Sequence, residues 1–185
     1  MLKKFIIGGA IFTILAVFLT GFLLYNHNQL PTKDDVFKWT KKMSFATNDV
    51  YFVNKIDDKW FTIFGDNASF SIARLEQNLI GNWELKDISS VAVNHHPLEK
   101  EDFTWVGSGK NKNTINYTTN YFGQILNPEI KKILVETEDN FFEEANILEA
   151  EGLRFFFTRS DKDLNLPVTI QGFSETGELI YTTYK

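Results

Sequence analysis

The sequence contains no cysteine among its 185 residues. This absence excludes disulfide bonds, thiol catalysis, thiolate metal sites and attachment of a lipid to cysteine. A domain without disulfides must be stabilised by its hydrophobic core. The sequence has 18 Phe, 6 Tyr and 4 Trp, which supply large apolar side chains for one core.

Charge of either sign is absent from residues 5–25, a run of 21 residues. As an α-helix this run would be roughly 30 Å long, enough to cross the hydrocarbon core of a bilayer. A cleaved export signal has a shorter apolar region of about 7–15 residues and then small residues at its cleavage site. The segment Asn26-His27-Asn28-Gln29 offers no such site. The run therefore favours a retained transmembrane signal anchor over a cleaved signal.

The charges beside the run indicate its orientation. Lys3 and Lys4 precede it, and basic residues flanking a span tend to stay in the cytoplasm. Basic residues also follow the run, beginning with Lys33, which weakens the asymmetry. We expect a single-pass protein of the cell membrane, with residues 1–4 as a cytoplasmic tail and residues 26–185 outside.

Small residues recur along one face of the predicted span. Gly9, Thr13, Ala16 and Thr20 are separated by four, three and four positions. Small side chains let a second helix approach closely within a membrane. This face predicts self-association or contact with a partner protein through the span.

Residues 26–48 are predicted to form a connector with a short amphipathic helix. Thr32 is a suitable N-cap, and acidic residues follow it in the first turn. Apolar side chains then recur on one side of the helix: Val36, Phe37, Trp39 and Met43. Such a helix can lie on the outer membrane surface or pack on its own domain. The second reading is favoured because the domain is nearer than the lipid.

Residues 49–185 are predicted to form a mainly β extracytoplasmic domain. Short aromatic and β-branched runs alternate with Gly, Asp and Asn turns every 8–12 residues or so. This pattern indicates an antiparallel β-sandwich or partly closed barrel of about ten strands. The first four strands should form a meander, and a polar break at 94–102 could divide the domain. No segment after residue 50 has a long helical period; residues 125–150 leave room for one helix, for which 143–148 is the best-placed segment.

The motifs that would carry chemistry are incomplete. Residues 107–110, Gly-Ser-Gly-Lys, lack the first glycine and the final Ser or Thr of a phosphate loop, so a hairpin turn is expected there. His95-His96 has no third ligand at a diagnostic spacing. Asp161-x-Asp163-x-Asn165 lacks the glycine and glutamate that complete a calcium loop. We predict no catalytic, cofactor-binding or metal-binding residue.

Carboxylates are plentiful, but their spacing assigns them no reaction. General acid–base chemistry needs two of them in a cleft, and in an acidic domain such runs are usually solvated. Leaving out residues 1–25, which hold two lysines and no acidic residue, changes the formal charge from −5 to −7. The domain should therefore have no general affinity for nucleic acid. The carboxylates considered are Glu136, Glu138, Asp139, Glu143, Glu144, Glu149 and Glu151.

Several segments of the C-terminal half form a recognisable succession: residues 121–125, Tyr-Phe-Gly-Gln-Ile, 154–157, Arg-Phe-Phe-Phe, and 177–181, Gly-Glu-Leu-Ile-Tyr. Over residues 117–185 the chain resembles small exported or membrane-anchored β-rich proteins of Gram-positive bacilli. Many of those proteins have no assigned activity. The resemblance implies a compartment and a β-fold, and it assigns no functional residue.

Two classes of function are compatible with these observations. The first is a non-enzymatic interaction or regulatory module of the cell envelope. The alternative is an envelope enzyme or a binder of a small ligand or wall polymer that uses carboxylates in a cleft. The lack of a nucleophile motif or metal spacing favours the first class.

Overall fold

The computed structural model places two helices and twelve strands in the part of the chain that it describes. The backbone is described for residues 2–43, 47–66, 68–92, 102–111, 117–164 and 166–183. Within these ranges, the side chains of residues 2–11, 92, 110–111 and 117–118 are not described.

Helix α1 runs from Leu2 to His27, and its side chains are described from Phe12 onward. Counting only described residues, no helix combines the length and the apolar character that crossing a membrane requires.

Helix α2, Lys33–Lys42, begins as predicted. The backbone nitrogen of Asp35 donates to Thr32 Oγ1 at 3.3 Å, and the Asp35 carboxylate accepts from the backbone nitrogen of Thr32 at 3.0 Å. This reciprocal capping box satisfies two backbone donors at the helix start. The apolar side of α2 then packs on the β-domain, with Val36 completely buried.

The first sheet is an antiparallel meander in the order β1-β2-β3-β4, as the sequence predicts. A turn of residues 78–82 joins β3 to β4; we call it the β3–β4 turn. The strands are β1 Asp49–Ile56, β2 Lys59–Gly65, β3 Ser69–Gln77 and β4 Trp83–Ala92.

Two further antiparallel sheets complete the domain. The second contains β5 Phe103–Asn111, β6 Tyr117–Ile125, β9 Asn146–Ala150 and β10 Leu153–Ser160. The third contains β7 Lys132–Glu138, β8 Phe141–Glu144, β11 Ile170–Phe173 and β12 Leu179–Thr182. Their orders are β5-β6-β10-β9 and β12-β11-β7-β8.

The second sheet is the middle layer of the domain. Phe155 and Phe157 on β10 pack against the first sheet, whereas Phe156 between them packs against the third sheet. Successive side chains of a strand point to opposite faces, so a strand buried on both faces reads as a continuous apolar run. α2 covers the outer face of the first sheet. The layers are therefore α2, the first sheet, the second sheet and the third sheet.

The mainly β prediction is confirmed, with differences in detail. The described strands form three sandwich-like layers, and they do not close into a barrel. The alternative of a helix at residues 143–148 is wrong, because these residues belong mainly to β8 and β9 and pair with β7 and β10. Residues 107–110 lie within β5 and pair with β6, so the antiparallel pairing is correct but these residues are strand and not turn.

Candidate functional site

Four hydrogen bonds join the end of α1 and the residues just after it to the β3–β4 turn and the adjoining ends of β3 and β4. Asn26 Nδ2 donates to the carbonyl oxygen of Ile80 at 3.0 Å. Gln77 Nε2 donates to the carbonyl oxygens of Asn26 at 3.1 Å and Gln29 at 3.4 Å. Trp83 Nε1 donates to the carbonyl oxygen of Gln29 at 3.2 Å. These bonds join residues 48 to 54 positions apart in sequence. We call this contact the α1 clamp.

The β3–β4 turn is shaped for this contact. Asn78 Oδ1 accepts from the backbone nitrogens of Ile80 at 3.1 Å and Asn82 at 3.0 Å. Gly81 has a φ of 84°, a left-handed conformation that glycine adopts without strain. A Cβ atom at residue 81 would lie 2.8 Å from the carbonyl carbon of Asn26. Glycine therefore permits both the turn and the close approach of α1.

A groove of about 430 Å³ opens beside the α1 clamp. α2 contributes Asp35, Lys38, Trp39 and Lys42, which share one face at helical spacing. The opposite wall is formed by the end of α1 and the β3–β4 turn. Asp35 is engaged in the capping box, so the lysines are the charges available to a ligand. We call this the lysine groove, and its chemistry suits an anionic group with apolar neighbours.

Glu84 is an acidic residue close to the lysine groove, and its charge interacts with Lys42. Lys86 Nζ contacts the Glu84 carboxylate at 2.7 Å, and Asn78 Nδ2 donates to it at 3.0 Å. The hydrogen bond from Lys86, followed by that from Asn78, lowers the pKa of Glu84. Glu84 is thus paired mainly with a lysine outside the groove, and it interacts more weakly with Lys42 inside it.

Exposed apolar side chains lie on the β3–β4 turn itself. Leu79 is 93% exposed and its neighbour Ile80 is 51% exposed. Leu30, just beyond the α1 clamp, is also exposed. Isolated exposed apolar residues are ordinary, but a cluster indicates a contact surface. We call Leu79 and Ile80 the apolar tip.

Tryptophan is concentrated at the same end of the domain. Trp39, Trp60 and Trp83 all pack at the core between α2 and the first sheet. The rings of Trp60 and Trp83 meet edge to face at 6.3 Å, and Lys55 Nζ lies 5.6 Å from the centre of the Trp60 ring. Amphipathic indole rings beside lysines are typical of surfaces at the membrane interface.

A second depression, of about 440 Å³, lies between the third sheet and the segment after β10. Thr137, which lines it, has a buried hydroxyl without a hydrogen-bond partner among the described residues. Lys162 Nζ lies 3.5 Å from the Glu138 carboxylate. The depression contains two residues of the calcium-like motif, yet no described group of residues could hold a metal ion. Its carboxylates are Glu138, Asp139, Asp161 and Asp163.

The other carboxylates considered from the sequence are dispersed over the surface. Glu136 accepts a hydrogen bond from the backbone nitrogen of Asn140 at 2.9 Å. A hydrogen bond from the Thr169 side chain, together with that bond, lowers the pKa of Glu136. Four of the seven make ion pairs: Glu138 with Lys162, Glu144 with Lys132, Glu149 with Arg154, and Glu151 with Lys33.

The predicted contact face of α2 is largely used by the domain. Val36 is fully buried, and Phe37 and Trp39 pack against the same cluster. Met43 is 52% exposed. Contact between the exposed part of α2 and a membrane surface stays a prediction.

The small-residue face of α1 is described only in part. Thr20 Oγ1 donates to the carbonyl oxygen of Ala16 at 2.9 Å, a bond within the helix. Gly9 lies among the residues whose side chains are not described. Packing of this face, which includes Thr13, against another helix stays a prediction. The pair His95-His96 also lies outside the described residues.

The sequence reasoning missed the apolar tip and the α1 clamp. The signal for the tip was available, since Leu79-Ile80 interrupts a polar turn between Asn78 and Gly81. The α1 clamp had no local signal, because it depends on backbone carbonyls far away in sequence.

The fold and site together describe an antiparallel β-domain of three stacked sheets, joined by hydrogen bonds to the end of an apolar helix. No family model, curated protein or solved structure matches the chain.

Proposed function

We propose that this chain is a single-pass membrane protein of the cell envelope whose β-domain acts as a non-enzymatic interaction or regulatory module. In this proposal α1 is the anchor, residues 1–4 are cytoplasmic and the β-domain lies outside. The compartment is that of the exported and anchored proteins of Gram-positive bacilli which residues 117–185 resemble.

The observation that carries the proposal is the exposed apolar surface of α1. Nine large apolar side chains between Phe12 and Tyr25 are 54% to 75% exposed, and they are distributed around the helix. Apolar surface in water costs about 25 cal/mol per Å², so a helix that is apolar on all sides requires lipid or protein around it. A bilayer satisfies this requirement on every side.

The α1 clamp supports a role in which orientation matters. A domain on a flexible linker can rotate freely relative to its anchor, whereas four hydrogen bonds hold this domain against the helix end. A fixed orientation presents the same face of the third sheet, the layer farthest from α2, to a partner. The dispersed, ion-paired carboxylates favour this role over acid–base catalysis.

Fractionation of cells that produce the full chain tests the anchor. The wild type should stay in the membrane pellet after alkaline carbonate extraction. Leu15→Lys should be released, because a charge in the middle of a span is unfavourable. Leu166→Lys, at a residue 67% exposed in the β-domain, is the matched control and should stay in the pellet. Release of the wild type would contradict the anchor.

Crosslinking in intact cells tests the interaction role. A photoreactive residue in place of Phe141 or Leu179, both exposed on the third sheet, should yield a defined protein adduct. The same group in place of Asp57, on the β1–β2 turn, is the control. Equal labelling from all three positions, or no adduct, would contradict a specific protein contact.

A second candidate function is favoured by the acidic depression. Its carboxylates suit a cationic ligand, such as a wall polymer with free amino groups. Equilibrium binding of such fragments to the purified full chain tests this function. Asp161→Asn with Asp163→Asn should weaken binding, and Glu175→Gln on a distant exposed turn should not. Equal binding by both variants would rule the candidate out.

A further inference from the structure

The apolar tip has no role in the hydrophobic core, yet it occupies a defined place. Leu79 is the most exposed of the described large apolar side chains. Its neighbour Ile80 accepts the hydrogen bond from Asn26 through its backbone oxygen. Two large apolar residues are thus held in water directly beside the end of α1.

The α1 clamp determines the depth of the apolar tip, along the membrane normal, relative to the proposed anchor. The uncharged run ends at Tyr25, and Asn26 is the first residue of the polar segment that follows. Polar residues directly after a membrane span lie among the lipid headgroups. Because Asn26 bonds to Ile80, the apolar tip lies at that same level.

We propose that the apolar tip inserts into the outer leaflet beside α1, while Lys38 and Lys42 in the lysine groove contact lipid phosphates. This inference rests on the proposed membrane anchor. The occupant of the surface is phospholipid of the leaflet that holds α1. The end of the first sheet that carries the β3–β4 turn therefore faces the membrane.

Charge complementarity selects phospholipid as the occupant. The chain outside residues 1–25 has a formal charge of −7, so most of its surface is repelled by anionic lipid. The lysine groove differs, because two lysines face it and Asp35 is engaged in the helix cap. Trp39 and Trp83 line the same groove and supply the aromatic groups that favour the headgroup region.

The chain has no cysteine, so single cysteines can report on depth without background. Leu79→Cys carries an environment-sensitive fluorophore in full chain reconstituted in nanodiscs of phosphatidylcholine and phosphatidylglycerol. Lipids with spin-labelled acyl chains then quench the fluorophore according to its depth. Leu15→Cys in α1 is the positive control, and the exposed Leu166→Cys between β10 and β11 is the matched negative control.

Quenching at residue 79 should be several-fold stronger than at residue 166 and weaker than at residue 15, which lies in the middle of the uncharged run. Quenching at residue 15 but not at residue 79 would overturn the tip insertion and leave the anchor intact. Absence of quenching at residue 15 would overturn the anchor and with it this inference. If the fluorophore at residue 79 is shielded from water only in discs that hold two chains, the tip instead mediates self-association.

The lysines are tested by removing the anionic lipid. With Leu79→Cys as the reporter, phosphatidylglycerol should increase quenching in the otherwise wild-type chain. It should have little effect when Lys38 and Lys42 are replaced by glutamine. Lys131→Gln with Lys132→Gln, at the start of the third sheet, is the matched control and should retain the response. An equal response in both double variants would overturn the role of the groove.

Discussion

Replacement of Gly81 by alanine tests the α1 clamp directly. The residue has a φ of 84°, and an added Cβ would lie 2.5 Å from Asn26 Cβ and 2.8 Å from the Asn26 carbonyl carbon. Real Cβ atoms do not approach other atoms so closely, so α1 or the β3–β4 turn must move. The substitution therefore combines local backbone strain with a collision against the end of α1.

Gly177→Ala separates these two effects. Gly177 also has a φ of 84°, but nothing lies within 4 Å of a Cβ placed there. Gly177→Ala should lower the free energy of unfolding by about 1–2 kcal/mol, because alanine is strained in the left-handed conformation. Gly81→Ala should introduce the same strain as Gly177→Ala. It should also break hydrogen bonds of the α1 clamp, each of which contributes about 0.5–1.5 kcal/mol to stability. We therefore expect Gly81→Ala to lower the free energy of unfolding by about 3 kcal/mol or more.

The assay is urea unfolding of the full chain in detergent micelles, followed by tryptophan fluorescence, with the wild type and both variants compared. Trp83 is part of the α1 clamp, so the folded-state emission of Gly81→Ala should also change, whereas that of Gly177→Ala should not. If the two variants lose equal stability to within about 0.5 kcal/mol, the usual size of a surface substitution's effect, the clamp contributes nothing measurable.

Two further predictions concern the domain. Phe155→Ala should lower the free energy of unfolding by about 3–5 kcal/mol, because this fully buried ring lies 5.0 Å from Phe70 between the first two sheets. Phe141→Ala, at an exposed ring, should change it by less than about 0.5 kcal/mol in the same urea titration. The backbone hydrogen bond from Ala68, followed by that from Ser69, lowers the pKa of Asp66 below its usual 3.8. The ionised carboxylate of Asp66 therefore stabilises the fold fully above pH 3.8. This contribution is lost as the pH falls through the lowered pKa of the folded protein. Asp66→Asn should lower the urea midpoint more at neutral pH than in strong acid; an equal loss at both would contradict this.

Features with a local cause could be predicted from the sequence. The start of α2 is determined by Thr32 and Asp35, which bond to each other's backbone three residues apart. The turn at Asp139-Asn140 is similarly local, because Asn140 tolerates the positive φ that it adopts there. In these places propensity and tertiary structure favour the same conformation.

Features that depend on distant partners could not be predicted in this way. Residues Glu143–Leu148 have a helix-compatible composition, but pairing with β7 and β10 makes most of them strands. The number of sheets depends on burial of β10 on both faces, which a single apolar run does not reveal. The α1 clamp likewise uses backbone carbonyls, which carry no residue-specific signal.

The central proposal is that α1 holds the β-domain on the outer side of the cell membrane. Labelling of single cysteines in intact cells with a membrane-impermeant maleimide tests it most directly. Glu175→Cys, on an exposed turn of the β-domain, should react in intact cells, and Lys4→Cys should react only after lysis. Reaction of Lys4→Cys in intact cells, with Glu175→Cys protected until lysis, would contradict the account.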